Sequence, residues 1–170
     1  MPAAPCELAG SPQQLIFRPI PSYDGRGKEM NITNILYRIV LVLHVTTAII
    51  GFLGALALSI AAYRQRRNRE LPDKFWRFQT YLQINTLALG IFGTTLFVMG
   101  GRPKVEWHLL YGALALLTVL MQRGLGRGRQ IRQVLAQDYG RFHEVWVYFG
   151  LNLFLWAMYG RGLTTGFFGF

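Results

Sequence analysis

Two histidines lie inside apolar stretches of this sequence, where ionisable side chains are rare and usually functional. They are His44, between Leu43 and Val45, and His108, between Trp107 and Leu109. Neutral imidazole is the commonest metal ligand among side chains. Two imidazoles from different helices can occupy both axial positions of a haem iron. The alternative is a structural role, in which each histidine hydrogen-bonds to a neighbouring helix.

A glycine follows each histidine at helical spacing. Gly51 comes seven residues after His44 and Gly112 comes four after His108, so each lies on the face of its histidine. Glycine lets the backbone approach a flat ring closely. We therefore expect a candidate site for haem b, with His44 and His108 as iron ligands and Gly51 and Gly112 beside the macrocycle. Close helix packing explains the glycines equally well.

The composition indicates a membrane protein. The chain has 170 residues, of which 52% are hydrophobic and 15% are charged, whereas a soluble domain carries about 25% charged residues. Its 18 Lys and Arg residues outnumber 8 acidic residues, which gives a net charge of +10. We interpret this excess as a topology signal and as contact with anionic lipid. The expected partner is therefore the lipid bilayer, and we expect no binding to nucleic acid.

Four apolar runs are close to the length of about 20 residues that a membrane-spanning helix needs. They predict an all-α integral membrane bundle of four transmembrane helices. The predicted spans are about 35–63, 75–99, 105–121 and 143–160. Residues 1–30 contain several Pro and Ser residues and are predicted to form a loosely structured N-terminal extension, which leaves 31–170 as the transmembrane domain.

The basic connections predict the orientation. Connections 64–74 and 122–142 carry most of the loop Lys and Arg, so we expect them to be cytoplasmic and both termini to lie on the outer side. The first and third spans then run in the same direction. His44 lies roughly 9 Å deeper than Arg38, and His108 follows Glu106 closely, so both imidazoles are predicted in the outer leaflet. This shared depth would let one ligand bridge them.

The second basic connection also contains apolar residues at helical spacing, among them Ile131 and Val134. They predict either a short amphipathic helix at the membrane surface or a plain basic loop. His143, beside Glu144 at the cytoplasmic end of the fourth span, is interpreted as an interfacial histidine.

Polar side chains within the second and fourth spans form a second candidate site. Amides at bilayer depth normally pair across helices, so we expect Gln83 or Asn85 to pair with Asn152. The alternative is a quinone or another polar-headed ligand bound by these side chains. The candidate residues are Gln83, Asn85, Thr86 and Asn152.

The segment from Leu43 to Gly51, LHVTTAIIG, together with a histidine in a later helix, resembles the first helix of copper-resistance D-like proteins. It is also similar to other small four-helix membrane proteins of bacteria. The resemblance covers one helix and one further histidine. It implies a four-helix protein of the bacterial inner membrane, and because some proteins of this kind bind b-type haem, it favours haem at the two histidines.

Three functions are compatible with these features. The first is an accessory or structural subunit of a larger respiratory or photosynthetic electron-transfer assembly, which implies other membrane subunits as partners. The second is a haem b electron carrier that uses His44 and His108 and exchanges electrons with quinone. The third is a small-solute channel or transporter. We do not expect an enzyme, because the sequence contains no Ser/His/Asp set, phosphate-binding loop or zinc motif.

Overall fold

The computed structural model describes residues 32–68, 70–129, 131–134 and 143–167. They belong to one compact unit, Asn31–Phe170. The prediction for residues 1–30 lies outside the described residues. So does most of the predicted surface helix, although residues 131–134 within it are helical.

Every regular element in the described ranges is helical, which confirms the all-α prediction. The four long helices are α1 (Ile32–Arg64), α2 (Asp73–Val98), α3 (Trp107–Gly124) and α4 (Glu144–Phe167). Gly100 lies in the turn between α2 and α3 and has a φ of 90°. This is a left-handed conformation that glycine adopts without strain. The glycine at position 100 therefore has a conformational reason.

The helix α4 is longer than its apolar run. The predicted span ends near residue 160, but the helix continues to Phe167. Thr164 and Thr165 donate their hydroxyl hydrogens to the Arg161 carbonyl, at 3.0 and 2.8 Å, and such local bonds are compatible with helical backbone. Hydropathy alone missed this last part because Arg161 interrupts the apolar pattern.

Among the residues that the structure describes, two helices are long and apolar enough to cross a membrane. They are α1 with 33 residues and α2 with 26 residues. At a rise of about 1.5 Å per residue both exceed a hydrocarbon thickness of about 30 Å. This finding supports the membrane character that the composition predicts.

The helices form a ring in which sequence neighbours pack together. α1 packs on α2 and α4, and α3 packs on the same two helices, so α1 and α3 lie diagonally opposite each other. Consecutive helices are antiparallel, since Gly93 of α2 lies beside His44 and Leu82 lies beside Gly54. We call the end with the α2–α3 hairpin the hairpin end, and the end with the two basic connections the loop end.

The apolar core is unevenly distributed along the bundle. It runs from Phe75 and Val145 near the loop end to Leu82 and Tyr159 near the middle. Beyond that layer, the buried apolar side chains among the described residues are Val40, Ala48 and Leu96. Between α2 and α3, the hairpin-end half also has an open apolar groove with a cavity volume of 540 Å³. Fewer apolar side chains are therefore buried at the hairpin end than at the loop end among the described residues.

Candidate functional site

The structure brings the two predicted histidines together. His44 of α1 and His108 of α3 meet across the diagonal of the bundle, with 6.2 Å between ring centroids and an angle of 53° between ring planes. Both side chains are half-buried at the hairpin end. In the described part of the chain the two rings are not hydrogen-bonded to each other. The shared depth that the topology predicts is thus accompanied by direct proximity.

A threonine of α4 fixes the orientation of His108. The Thr165 hydroxyl donates to the Arg161 carbonyl at 2.8 Å, so it is an acceptor for the Nδ1–H of His108, which lies 3.2 Å away. In the tautomer with the proton on Nδ1, this hydrogen bond leaves a lone pair on Nε2 of His108, and the Gly162 carbonyl also faces this ring. Metal-binding histidines usually have their second nitrogen bonded in this way.

The second histidine has an unpaired nitrogen. Among the described residues, Nδ1 of His44 is buried and has no hydrogen-bond partner. The Leu89 carbonyl is the polar backbone group that faces this ring from α2. A buried polar atom without a partner is costly in a native structure and calls for an explanation. A bound ligand at the histidine pair would supply one.

Two glycines that the sequence interpretation missed border the imidazoles. A methyl group at Gly93 of α2 would lie 3.1 Å from Cε1 of His44, and one at Gly166 of α4 would lie 3.4 Å from Cε1 of His108. Each imidazole therefore faces glycine backbone on the helix beside it. Gly93 comes seven residues after Thr86 and so lies on the same face of α2. This spacing is the sequence signal that could have identified it.

The two predicted glycines do not border the imidazoles. A methyl group at Gly51 would overlap the ring of Tyr159, so this glycine allows α1 and α4 to pack closely. Gly112 lies on an exposed face, and nothing would approach a methyl group there within 4 Å. The expectation that both glycines would leave space for a macrocycle is therefore corrected. The face on which a glycine lies does not determine which residue of another helix fills the space beside it.

Replacing Gly51 by alanine should lower the free energy of unfolding by about 1–3 kcal/mol, the usual cost of overpacking. The added methyl group must displace Tyr159, whose hydroxyl lies 2.9 Å from the Thr86 hydroxyl. Denaturation of the helical circular dichroism in detergent would measure the loss. Gly112→Ala is the matched control and should be neutral or slightly stabilising, since alanine is favoured over glycine in a helix. Equal stabilities of the two variants would contradict this packing role.

Three fully buried amides form a closed hydrogen-bonded ring in the loop-end half. Gln79 donates to Gln122 at 2.8 Å, Gln122 donates to Asn152 at 3.2 Å, and Asn152 donates to Gln79 at 3.0 Å. We call this set the amide ring. It joins α2, α3 and α4. The prediction that Asn152 pairs with Gln83 or Asn85 is therefore wrong. Its partner on α2 is Gln79, one turn nearer the loop end than Gln83, and its other partner, Gln122, lies on α3.

The other predicted polar residues lie nearer the middle of the bundle. Asn85 donates to the Thr47 carbonyl at 2.9 Å and lies 3.4 Å from the Tyr159 hydroxyl. Thr86 is buried and contacts the same hydroxyl. Gln83 is buried as well. These side chains serve mainly contacts between α1, α2 and α4, as the structural alternative predicts.

A buried carboxylate connects the basic segments at the loop end. Glu144 is 1% exposed, and its carboxylate lies 2.9 Å from the Arg132 guanidinium and 3.8 Å from that of Arg127. It also accepts the backbone N–H of Leu71 at 3.2 Å. The adjacent His143 is exposed. Sequence reasoning placed Glu144 at a helix start but did not predict its burial.

The comparisons with known proteins identify no relative. No family model matches the chain, and no curated protein or solved structure matches it. In the described segments, no group of three or more His, Cys, Asp or Glu residues is arranged to bind a metal ion. The candidate site consists of the two imidazoles of His44 and His108.

Proposed function

We propose that this chain is a membrane electron carrier that binds one haem b through His44 and His108. The observation that carries the proposal is the distance of 6.2 Å between the two ring centroids across the bundle. Two imidazoles that held one iron through bonds of about 2 Å would have their ring centroids roughly 6 Å apart. The observed distance therefore supports His44 and His108 as the residues that would hold it.

Three further features of the hairpin end fit a flat cofactor. His44 has a buried nitrogen without a partner in the described residues. Gly93 and Gly166 present backbone rather than side chains to the imidazole edges. The contiguous apolar core ends at the Tyr159 layer, before the histidines are reached. Cofactors in helical bundles are characteristically bound in the interior by side chains from different helices.

The protein's part in the chemistry is to bind and orient the iron ligands. Thr165 would accept from Nδ1 of His108 and so leave Nε2 to bind the iron. When bound, haem supplies a one-electron redox couple whose potential depends on its axial ligands and surrounding charges. Apolar side chains of the long helices separate the site from the loop end. An electron-carrier function follows from these roles.

The proposal includes a membrane orientation. α3 and α4 would span the bilayer beside α1 and α2, with the loop end in the cytoplasm and the hairpin end and both termini outside. The basic residues of connections 64–74 and 122–142 support this orientation through the positive-inside rule. The site would then face the outer side of a bacterial inner membrane.

The closed amide ring disfavours the channel hypothesis. Its three members bond one another and are 0% exposed, so they do not line an open polar path. Electron exchange with quinone and association with other membrane subunits stay predictions of the sequence, and both are compatible with a haem carrier.

The optical spectrum of protein expressed with sufficient haem and purified in detergent tests the proposal. We expect a Soret band and the low-spin spectrum of two axial histidines. His44→Ala and His108→Ala should each lose this low-spin spectrum and most of the bound haem. His143→Ala is the matched control, because His143 is exposed at the other end, and its spectrum should equal that of the wild type. Wild-type protein without a Soret band, or unchanged low-spin haem in both alanine variants, would overturn the proposal.

A further inference from the structure

One arginine near the hairpin end lies within the last turns of a long apolar helix. Arg161 is on α4, two residues after Tyr159, and its side chain is exposed on the bundle surface. Arginines at such positions in membrane helices are rare and are usually paired with an acceptor. Its surroundings therefore need a specific explanation.

The described residues provide no carboxylate for Arg161. Its guanidinium lies over the ring of Tyr111, 5.6 Å from the ring centroid, and this is its side-chain contact within the described ranges. Three other cations lie at the hairpin end among the described residues, and one of them, Arg38 of α1, is exposed six residues before His44. Lys104 donates to the Phe167 carbonyl at 3.1 Å, and Arg102 lies over the Phe97 ring.

Arg161 lies beside the histidine pair on two helices. Its carbonyl accepts from Thr165, which in turn contacts His108. Its guanidinium contacts Tyr111, one turn after His108 on α3. Along the helix axes, Arg161 and Thr165 are roughly 6 Å apart, and His108 and Tyr111 are roughly 4.5 Å apart. An anionic group of a ligand that is bound at the histidines would be within reach of this long side chain.

We propose that Arg161 is a positioning residue that binds a propionate carboxylate of the haem. This inference rests on the proposed function. Haem carries two anionic propionates, and guanidinium is well suited to bidentate pairing with a carboxylate. An ion pair at the edge of the membrane would compensate both charges, and it would direct the carboxylate edge of the macrocycle toward the α3–α4 side of the site.

The midpoint potential of the bound haem tests this role. Removing the positive charge favours the ferric form, so Arg161→Gln should lower the potential. We expect about a tenfold change in the reduction equilibrium, which corresponds to roughly 59 mV for a one-electron couple. Haem transfer to excess apomyoglobin should also become faster. Arg161→Lys should preserve most of the potential, and Arg77→Gln, which removes the same charge from an exposed site near the loop end, should leave it unchanged.

Esterified haem provides the decisive comparison. With iron mesoporphyrin dimethyl ester, which has no propionate charge, the difference in transfer rate between the wild type and Arg161→Gln should vanish. If circular dichroism shows that Arg161→Gln does not fold, Arg161→Lys replaces it in the same comparison. The difference in transfer rate between the wild type and Arg161→Lys should be smaller, and it should also vanish with the ester. Wild type without a Soret band would refute the proposed function itself. Wild type with haem but equal potentials in Arg161→Gln, or a difference in transfer rate that persists with the ester, would refute only the role of Arg161.

Discussion

Asn152→Leu should lower the free energy of unfolding by about 2–4 kcal/mol, because it leaves the buried side-chain oxygen of Gln79 and one buried N–H of Gln122 unpaired. Asn152 donates to Gln79 and accepts from Gln122, and all three side chains are 0% exposed. Leucine has the same number of side-chain heavy atoms as asparagine, but its branched end is bulkier than a planar amide, so overpacking contributes to the loss as well. The unpaired oxygen of Gln79 and the unpaired N–H of Gln122 account for the rest.

The control is a variant in which all three members of the amide ring are replaced by leucine. Replacing every partner by an apolar group of similar shape removes the unsatisfied groups and can be nearly neutral. The triple variant should therefore be more stable than Asn152→Leu in SDS-induced unfolding from mild detergent, although it carries more substitutions. Additive losses across the three positions would show that the ring is not a coupled unit.

Glu144→Ala should be the most destabilising single substitution at the loop end, with a loss of about 3–5 kcal/mol, as is typical when one partner of a buried ion pair is removed. The change leaves Arg132 without this carboxylate, which lies 2.9 Å away. It also removes the acceptor of the Leu71 N–H. Because Glu144 contacts residues from both basic connections, we expect faster proteolysis of these connections together with the lower unfolding midpoint.

Two further variants distinguish the buried ion pair from a general charge effect. Glu144→Gln retains an acceptor for Leu71 and should recover part of the stability. Glu70→Gln removes a carboxylate that is 77% exposed and 3.8 Å from Arg127, and such surface pairs contribute little. A Glu70→Gln effect as large as that of Glu144→Ala would count against a special role for the buried carboxylate.

The sequence was sufficient to predict the helices because each is encoded by one local property, a long apolar run between polar connections. The same locality explains the error at the end of α4. Arg161 interrupts the apolar run, whereas the backbone and the Thr165 hydroxyl continue the helical hydrogen bonding. Hydropathy measures transfer to lipid, so it does not detect a helix that continues through a charged residue.

The histidine pair could be anticipated because the loop charges predict that α1 and α3 run in the same direction. Depth along the bundle then follows from residue counting. The rotation of one helix relative to another does not follow from residue counting, because it depends on side-chain packing between segments that are distant in sequence. For this reason Asn152 was assigned the wrong partner, and Gly93 was missed beside His44 although Gly51 was predicted there.

The diagonal arrangement of α1 and α3 has a thermodynamic consequence. These helices do not pack on each other along their length, and at the hairpin end they are in contact through the imidazoles of His44 and His108. The loop end is cross-linked by the amide ring and Glu144 whatever is bound. A haem that joins the imidazoles would bind the hairpin end when it is folded but not when it is unfolded. The free energy needed to unfold that end would therefore increase with the logarithm of the free haem concentration. The supply of cofactor would thereby set the lifetime of the protein in the membrane as well as its redox capacity.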